Sequence, residues 1–259
     1  MTHIAHPYSQ RIGILRDWKS RWFAGNPKRY REFIRTDAAI RKLLVQKLRG
    51  MYVAGIEIER NQKQIRVIVS TSRPGMIIGR SGEGATKLKK GITQLLKQLK
   101  LTEVPALQLD IVEVRSPESN AAIVAAMVVE GLEKRMPFRR VLKQTIDKVM
   151  ANRDVQGVRI GLSGMLGGGS MSRTEELKKG RIPLQTLRAD IDFAIDEAQL
   201  PLGKIGVKTW IYRGEVFADK KAAEADARGG MNPTETPRTH GGTAGRRTTT
   251  RAPRTNSAA

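Results

Sequence analysis

The sequence predicts an α+β fold of two domains, the first a helix–strand–strand–helix–loop–helix–strand unit and the second a two-layer sandwich of helices and strands. Three observations support this fold class. Apolar residues recur at helical spacing in some segments and alternate with polar residues in others. A glycine-rich loop separates an alternating segment from a long basic helix. In the second half, two apolar helices precede several strand-like segments, an order typical of a two-layer α+β domain.

Composition and pattern divide the 259 residues into four parts. A basic N-terminal extension spans residues 1–35, the first domain spans 36–115, and the second domain spans 116–218. The last part, 219–259, consists mainly of Ala, Gly, Thr, Pro and Arg without a hydrophobic period. Such a segment cannot bury enough apolar surface to fold alone, so we predict a disordered basic tail.

The N-terminal extension holds three large aromatic residues and is interrupted by residues that break regular structure. Gly and Pro near both of its ends predict turns rather than a helix or a strand. We expect Trp18, Trp22 and Phe23 to dock the extension on its own domain. Stacking on nucleic-acid bases is the alternative interpretation.

Two helices are predicted where the N-terminal extension meets the first domain. A short basic helix is predicted over residues 27–35, and a second helix begins at Thr36, a residue type favoured at the N-cap. The second helix is predicted to end at Gly50. Two strands of a hairpin, a short apolar turn, a long basic helix and a last strand follow, at residues 51–60, 63–71, 74–78, 82–100 and 104–115.

Gly79-Arg80-Ser81-Gly82 connects the short turn to the long basic helix. Glycines let the backbone approach a phosphate closely, because no Cβ intervenes. The unpaired amides at the start of the following helix favour an anion, and Arg80 adds a full positive charge. The four residues fit the GXXG loop of KH domains, and the order of elements is that of a type II KH domain.

The second domain begins with two helices. Ser116-Pro117 is predicted to cap the first, which runs to Arg135, because Pro is favoured at the first helical position. The second helix is predicted over residues 138–151. Four strand-like segments follow, at residues 155–162, 170–177, 182–193 and 204–213.

Charge indicates the class of partner. The chain has 47 Lys and Arg against 25 Asp and Glu, a net charge of +22 and a pI near 10.7. The net charge is +9 over residues 1–50 and +6 over 51–105, against +3 over 106–218. A charge of this size attracts polyanions and is typical of nucleic-acid-binding proteins. No apolar run approaches the ~18 residues of a membrane span, which favours nucleic acid over a membrane surface.

The residue types present do not favour catalysis or metal binding. The chain has no cysteine, and its three histidines lie outside the segments predicted to form the core. The stretch 164–170 is rich in glycine but lacks the Gly-Lys-Ser/Thr ending of a P-loop, so we predict a flexible turn. Four carboxylates lie close together in the sequence, at Asp190, Asp192, Asp196 and Glu197. They could hold Mg²⁺, but ion pairs at the surface with Arg188 and nearby basic residues are favoured, and we expect no enzyme, metal or cofactor.

A second basic cluster lies at the start of the helix predicted over 138–151. Arg139 and Lys143 are i,i+4 neighbours, and Arg140 and Lys143 are i,i+3 neighbours. Like charges at these spacings repel each other, so a polyanionic partner would explain the cluster. A solvated helix face is the equally weighted alternative.

Many dispersed stretches resemble the small-subunit ribosomal protein S-three family in its bacterial form, over roughly residues 1–218. The matching stretches include Arg11-Ile12-Gly13-Ile14, Arg73-Pro74-Gly75, Ile77-Ile78-Gly79, Phe138-Arg139-Arg140, Leu166-Gly167-Gly168, Arg173-Thr174-Glu175, Gly180-Arg181-Ile182-Pro183-Leu184, Thr186-Leu187-Arg188-Ala189-Asp190-Ile191-Asp192 and Gly206-Val207-Lys208.

The resemblance implies a cytoplasmic protein that binds small-subunit ribosomal RNA in the head of the subunit, beside the tunnel through which messenger RNA enters. It implies ribosomal proteins S-ten and S-fourteen as neighbours. It also implies that Arg139, Arg140 and Lys143 face the incoming messenger and assist its positioning and unwinding. The residues predicted to contact RNA are Arg11, Arg73, Gly79, Arg80, Ser81, Gly82, Lys87, Arg139, Arg140, Lys143, Arg173, Arg181 and Arg188.

Two residues depart from the family's pattern. Met165 stands where a basic residue is common in the glycine turn, and Ser81 replaces a basic residue in the GXXG loop. Two other classes of function stay open from the sequence. One is a free KH-type RNA chaperone or regulator, and the other is a nuclease that uses Asp190 and Asp192.

Overall fold

Two four-stranded sheets, each packed against helices, make up the part of the chain that the computed structural model describes. The described residues are 5–61, 64–99, 106–201 and 203–217, so the predicted tail at 219–259 lies outside them. The helices are α1 (Pro27–Lys47), α2 (Pro74–Ile78), α3 (Glu83–Gln98), α4 (Ala121–Glu133) and α5 (Phe138–Met150). The strands are β1 (Ser20–Arg21), β2 (Val53–Arg60), β3 (Gln64–Thr71), β4 (Ala106–Glu113), β5 (Gly157–Gly164), β6 (Arg173–Gly180), β7 (Ala189–Leu200) and β8 (Gly203–Glu215).

The first sheet has the order β1-β2-β3-β4. Strands β2 and β3 form the predicted antiparallel hairpin, and β4 lies parallel to β3. Alternate residues of β3 point into a core shared with α1 and α3, because side chains of a strand alternate between its two faces. The core includes Ile40, Leu44, Val67, Val69 and Ile92. The run α1–β2–β3–α2–α3–β4 confirms the predicted order of a type II KH domain.

Helix α1 is a single helix of 21 residues, so the prediction of two helices that meet at Thr36 is wrong. The cap is Asn26, whose side chain accepts a hydrogen bond from the Lys28 amide at 3.0 Å. The Thr36 hydroxyl donates to the Phe33 carbonyl inside the helix, at 2.9 Å. Asp37 turns to the sheet instead of the helix end, and its carboxylate accepts from Arg60 at 2.6 Å.

The aromatic residues of the N-terminal extension do not all dock on the first domain. Trp22 does so: its indole N–H donates to Asp37 at 2.8 Å, and its ring meets Phe33 edge to face. Trp18 and Phe23 are 58% and 90% exposed, so the docking prediction is wrong for these two residues.

The second sheet has the order β6-β5-β8-β7, with every neighbouring pair antiparallel, and it packs against α4 and α5. The cap of α4 is Asn120, whose side chain accepts from the Ala122 amide at 3.0 Å. Ser116-Pro117 instead enters a single 3₁₀ turn, so the predicted cap is wrong. Strand β7 starts at Ala189, seven residues later than predicted.

Arg11 explains why residues 182–188 do not form a strand. Its guanidinium donates to the carbonyls of Leu184 at 3.0 Å, Thr186 at 2.8 Å and Ala189 at 2.8 Å. A fourth hydrogen bond goes to the Pro7 carbonyl at 2.9 Å. The carbonyls of Leu184 and Thr186 therefore accept hydrogen bonds from the N-terminal extension, whereas in a strand they would accept them from a neighbouring strand.

Asp192 fastens the same extension to the second sheet. Its carboxylate accepts hydrogen bonds from Arg213 at 2.9 Å, the Ala121 amide at 2.8 Å and the Tyr8 hydroxyl. Arg16 adds an ion pair at 3.3 Å. The Asp192 side chain is 5% exposed, so the predicted surface ion pairs with Arg188 are wrong for this carboxylate.

The Asp192 carboxylate makes this fastening sensitive to acid. Burial opposes its ionisation, but Arg16 and Arg213 outweigh burial and hold the pKa of Asp192 below its ordinary value of 3.8. A lowered pKa in the folded state gives stability that is present above the unfolded pKa and lost as pH falls through the folded pKa. We expect tertiary circular dichroism in a titration below about pH 4 to show this loss. Asp192→Asn should make the loss shallower, and an unchanged acid profile in that variant would contradict the assignment.

Candidate nucleic-acid interface

The GXXG loop turns the chain sharply between α2 and α3. Gly79 and Gly82 have φ of +71° and +78°, a region that favours glycine. Ser81 between them has φ of +50°, which is uncommon for a residue with a Cβ. Arg80 and Ser81 are exposed, so the most strained part of the loop is also the part open to solvent.

Gly84 lets this loop lie directly against α3. A Cβ at position 84 would overlap the carbonyl oxygen of Ile77 and lie 2.9 Å from that of Ile78. The backbone of α2 therefore crosses the first turn of α3 at a distance that only glycine permits. Sequence reasoning identified Gly79 and Gly82 in this loop but did not identify the close approach at Gly84.

Positive side chains surround the loop on two sides. Lys87 is exposed on α3 and pairs with Glu83 at 3.3 Å, a surface pair of low strength. Arg73 precedes α2, and its guanidinium lies 4.8 Å from the centre of the Tyr52 ring. In the part of the chain that the structure describes, no carboxylate lies within 4.0 Å of Arg80. The loop thus offers a phosphate one unpaired guanidinium.

The predicted cluster on α5 is exposed. Arg139, Arg140 and Lys143 all lie on the surface, while Val141 and Leu142 between them are buried. Arg139 lies 3.5 Å from a carboxylate oxygen of Glu175 on β6. Among the described residues, no carboxylate comes within 4.0 Å of Arg140 or Lys143. Their charges are therefore available to an outside anion.

The structure joins this cluster to two segments that are distant in sequence. The Phe138 ring has the Arg139 guanidinium 5.6 Å and the Arg173 guanidinium 5.5 Å from its centre, both cation–π contacts. Arg173 also pairs with Glu175 at 3.5 Å. The turn at Gly167 packs on the same ring, since a Cβ there would lie 3.6 Å from it. Phe138 and Glu175 thus order the cluster, a role that sequence reasoning missed.

Three other predicted contact residues have different environments. Arg181 is exposed after β6, and Arg188 is exposed with its guanidinium 5.3 Å from the centre of the Phe217 ring. Arg11 is 1% exposed and spends its donors on four carbonyls, so its predicted contact with RNA is wrong in this fold. It is a structural residue of the N-terminal extension.

No group of three or more His, Asp and Glu side chains suited to a metal ion occurs among the described residues. Asp192 has its oxygens occupied by Arg16, Arg213, Tyr8 and the Ala121 amide. A nuclease built on Asp190 and Asp192 therefore has no open carboxylate at Asp192. Over the same described ranges, no helix combines the length and apolarity needed to cross a membrane.

Comparison with known proteins matches both halves of the chain. A family model described as "KH domain" matches residues 39–119, and one described as "Ribosomal protein S3, C-terminal domain" matches residues 128–211. A protein of Caldicellulosiruptor bescii is 44% identical over 218 residues, which cover 84% of this chain and 95% of that protein. Proteins of Clostridium novyi and Endomicrobium trichonymphae are 42% and 43% identical over 83% and 86% of this chain, and 94% and 92% of their own lengths. All three are named small ribosomal subunit protein uS3.

Proposed function

Because this chain belongs to the small ribosomal subunit protein uS3 family, we propose that it is a structural constituent of the small ribosomal subunit that binds ribosomal RNA. It acts by binding and positioning, without catalysis. The uS3 relatives are structural ribosomal proteins, which agrees with the buried and fully bonded state of Asp192.

The GXXG loop is the first RNA contact in this proposal. Phosphates of about four nucleotides lie along such a loop in KH domains. Gly79 and Gly82 keep the backbone free of Cβ atoms, and Arg80 supplies the charge. The exposed lysines of α3 extend the positive surface from the loop, at Lys87, Lys89 and Lys90.

The α5 cluster is the second contact, and it carries the finer part of the proposal. Arg139, Arg140 and Lys143 line the place where messenger RNA enters the subunit head, beside proteins S-ten and S-fourteen. The supporting observation is that three exposed cations share the first turns of one helix while Arg140 and Lys143 lack a carboxylate partner among the described residues. Phosphates relieve the repulsion within such a cluster.

This geometry suggests how the cluster assists unwinding. The three cations contact the phosphates of a single strand that lies along α5. A strand that is paired in a duplex does not make these contacts. Binding only the single strand shifts the equilibrium of a structured messenger toward the open form. Glu175 holds Arg139 in place before RNA arrives, and the two free oxygens of a phosphate can then replace Glu175 as a bidentate partner of the guanidinium.

The ribosomal role is tested by sedimentation of cell lysate in a sucrose gradient, with and without a wash in high salt. We expect this protein in the small-subunit, monosome and polysome fractions at one copy per subunit, retained after the wash. A protein found mainly at the top of the gradient would instead support a free RNA chaperone or regulator.

The messenger contact is tested by changing Arg139, Arg140 and Lys143 together to Ala. We expect translation of a messenger with a stable hairpin to slow severalfold, while an unstructured messenger is translated as before. Each phosphate contact to a single strand contributes about 0.7 to the slope of log affinity against log salt, so the slope should fall by about 2.

A matched control removes three exposed cations from α1 instead, at Arg31, Arg35 and Lys42. This control has the same loss of charge but leaves α5 intact. If both triple variants slowed the structured messenger equally, the effect would belong to net charge and not to the α5 cluster.

A further inference from the structure

A cleft of about 340 Å³ lies between the ends of the β2–β3 hairpin and helices α4 and α5. This volume is within the range of pockets that hold small ligands, about 300–1,000 Å³. Tyr52 and Arg73 form one wall, and Met127, Met136, Gln144 and Lys148 belong to the other. Arg73 apart, these residues belong to neither of the RNA contacts described above.

The first wall has a fixed geometry. Tyr52 has φ of +49°, a conformation that residues with a Cβ rarely adopt, so the fold imposes the position of its ring. Thr71 is fully buried beneath it, and its hydroxyl donates to the Met51 carbonyl at 2.9 Å. The same hydroxyl oxygen accepts from the Arg73 amide at 3.2 Å. Both ends of the hairpin are thereby tied together, with the Arg73 guanidinium 4.8 Å from the centre of the Tyr52 ring.

The second wall combines apolar and polar groups. Helices α4 and α5 approach closely at Gly131, where a Cβ would lie 3.0 Å from the Val141 side chain. Gln144 and Lys148 are i,i+4 neighbours on α5 and lie above this apolar floor. At the rim, Lys134 pairs with Glu130 at 2.5 Å. Within the described ranges, Lys148 has no carboxylate inside 4.0 Å.

The lining therefore offers a flat cationic stack, an apolar floor, one amide and one unpaired ammonium group. Bases that leave their stack are bound by aromatic rings and arginine planes, and their edges are read by hydrogen bonds. An ammonium group at the rim suits the phosphate of the same unit. An acidic peptide would use the ammonium group but not the stack.

We propose that this cleft binds one unstacked nucleotide, with its base between the Tyr52–Arg73 pair and the methionines and its phosphate at Lys148. Gln144 hydrogen-bonds to the edge of the base. The inference goes beyond the proposed function. It rests on that function only for the source of the nucleotide, which in the ribosome is a nucleotide of an RNA chain. A free mononucleotide has the same chemistry.

Met127 and Met136 are natural reporters, because their methyl groups can be labelled with ¹³C in the full-length protein. Met150 is half-buried against the core of the second domain and does not line the cleft, so it is the internal control. The probes are a four-nucleotide single-stranded RNA, a free nucleoside monophosphate, inorganic phosphate and an acidic peptide. We expect the RNA to shift the Met127 and Met136 resonances saturably and to leave Met150 unchanged.

The other outcomes separate the possibilities. An equal response to the free monophosphate supports the site and makes a free nucleotide its ligand. An equal response to inorganic phosphate or to an acidic peptide overturns recognition of a base, and unshifted Met127 and Met136 resonances overturn the site. RNA affinity measured by anisotropy on the same samples reports the GXXG and α5 contacts, so their failure is seen separately.

Three variants sharpen the test. Lys148→Gln should weaken the response of Met127 and Met136 roughly fivefold, as expected for one exposed charge contact. Lys28→Gln removes a matched exposed charge from α1 and should leave that response unchanged. Tyr52→Phe should retain it, because the ring is kept. Equal weakening by Lys148→Gln and Lys28→Gln would overturn the phosphate position.

Discussion

Asp192→Asn is expected to lower the free energy of unfolding by about 3 kcal/mol, because it removes the charge from a buried ion-pair network. Arg16 and Arg213 would each lose this buried carboxylate, at 3.3 Å and 2.9 Å, and keep only the more exposed Asp190, at 3.0 Å and 3.6 Å. The Ala121 amide would also lose a charged acceptor at 2.8 Å. Since one carboxylate serves the N-terminal extension, α4 and β8 together, a single substitution loosens three elements.

Urea denaturation followed by tryptophan fluorescence measures this loss. Glu197→Gln is the matched control, because Glu197 lies on the same strand and pairs with Lys204 on the surface. We expect the midpoint of the control to stay near that of the unaltered protein. A midpoint for Asp192→Asn that also stayed there would show that the buried network contributes little.

Gly84→Ala is expected to move the GXXG loop and weaken RNA binding, with a loss of stability of about 1–3 kcal/mol from overpacking. The added Cβ meets the backbone carbonyls of Ile77 and Ile78, which cannot rotate away as a flexible side chain would. The strain is relieved only by separating α2 from α3. This separation displaces Gly79 and Arg80 from the positions where they would meet a phosphate.

The matched control for this substitution is Gly75→Ala, nine residues earlier on α2. A Cβ at position 75 meets no atom within 4 Å, so alanine should be tolerated or should stabilise α2 slightly. Affinity for a short single-stranded RNA and the urea midpoint are measured for both variants. If Gly84→Ala bound RNA as tightly as Gly75→Ala, the loop would not depend on its packing against α3.

The sequence predicted the order of elements in the first domain because each one has its own periodic pattern. Alternation in β2 and β3 and helical spacing in α3 depend on residues that are neighbours in the chain. The continuity of α1 was not predictable in this way. Thr36 and Asp37 resemble a helix start, and the partner that makes Asp37 a buried ion-pair residue is Arg60, 23 positions later.

In the candidate site, too, features set by neighbouring residues were predictable and features set by distant residues were not. Exposure of the α5 cations follows from the apolar residues that alternate with them, so Arg139, Arg140 and Lys143 were predicted correctly as surface residues. Their role in binding messenger RNA stays a prediction. Burial of Arg11 could not be predicted, because its acceptors are backbone carbonyls, which no residue type marks. Likewise, the contact of Arg173 with Phe138 depends on how β6 lies beside α5.

The fastening of the N-terminal extension has a consequence for the timing of synthesis. Tyr8 and Asp192 are 184 positions apart, so the partner of Tyr8 is made much later than Tyr8 itself. At roughly 5–20 residues per second, Asp192 is added to the nascent chain about 10 to 40 seconds after Tyr8. During this interval, Arg11 and Arg16 are cations without their final partners. Closure of the extension on Asp192 therefore requires that the nascent chain has been made at least as far as β7.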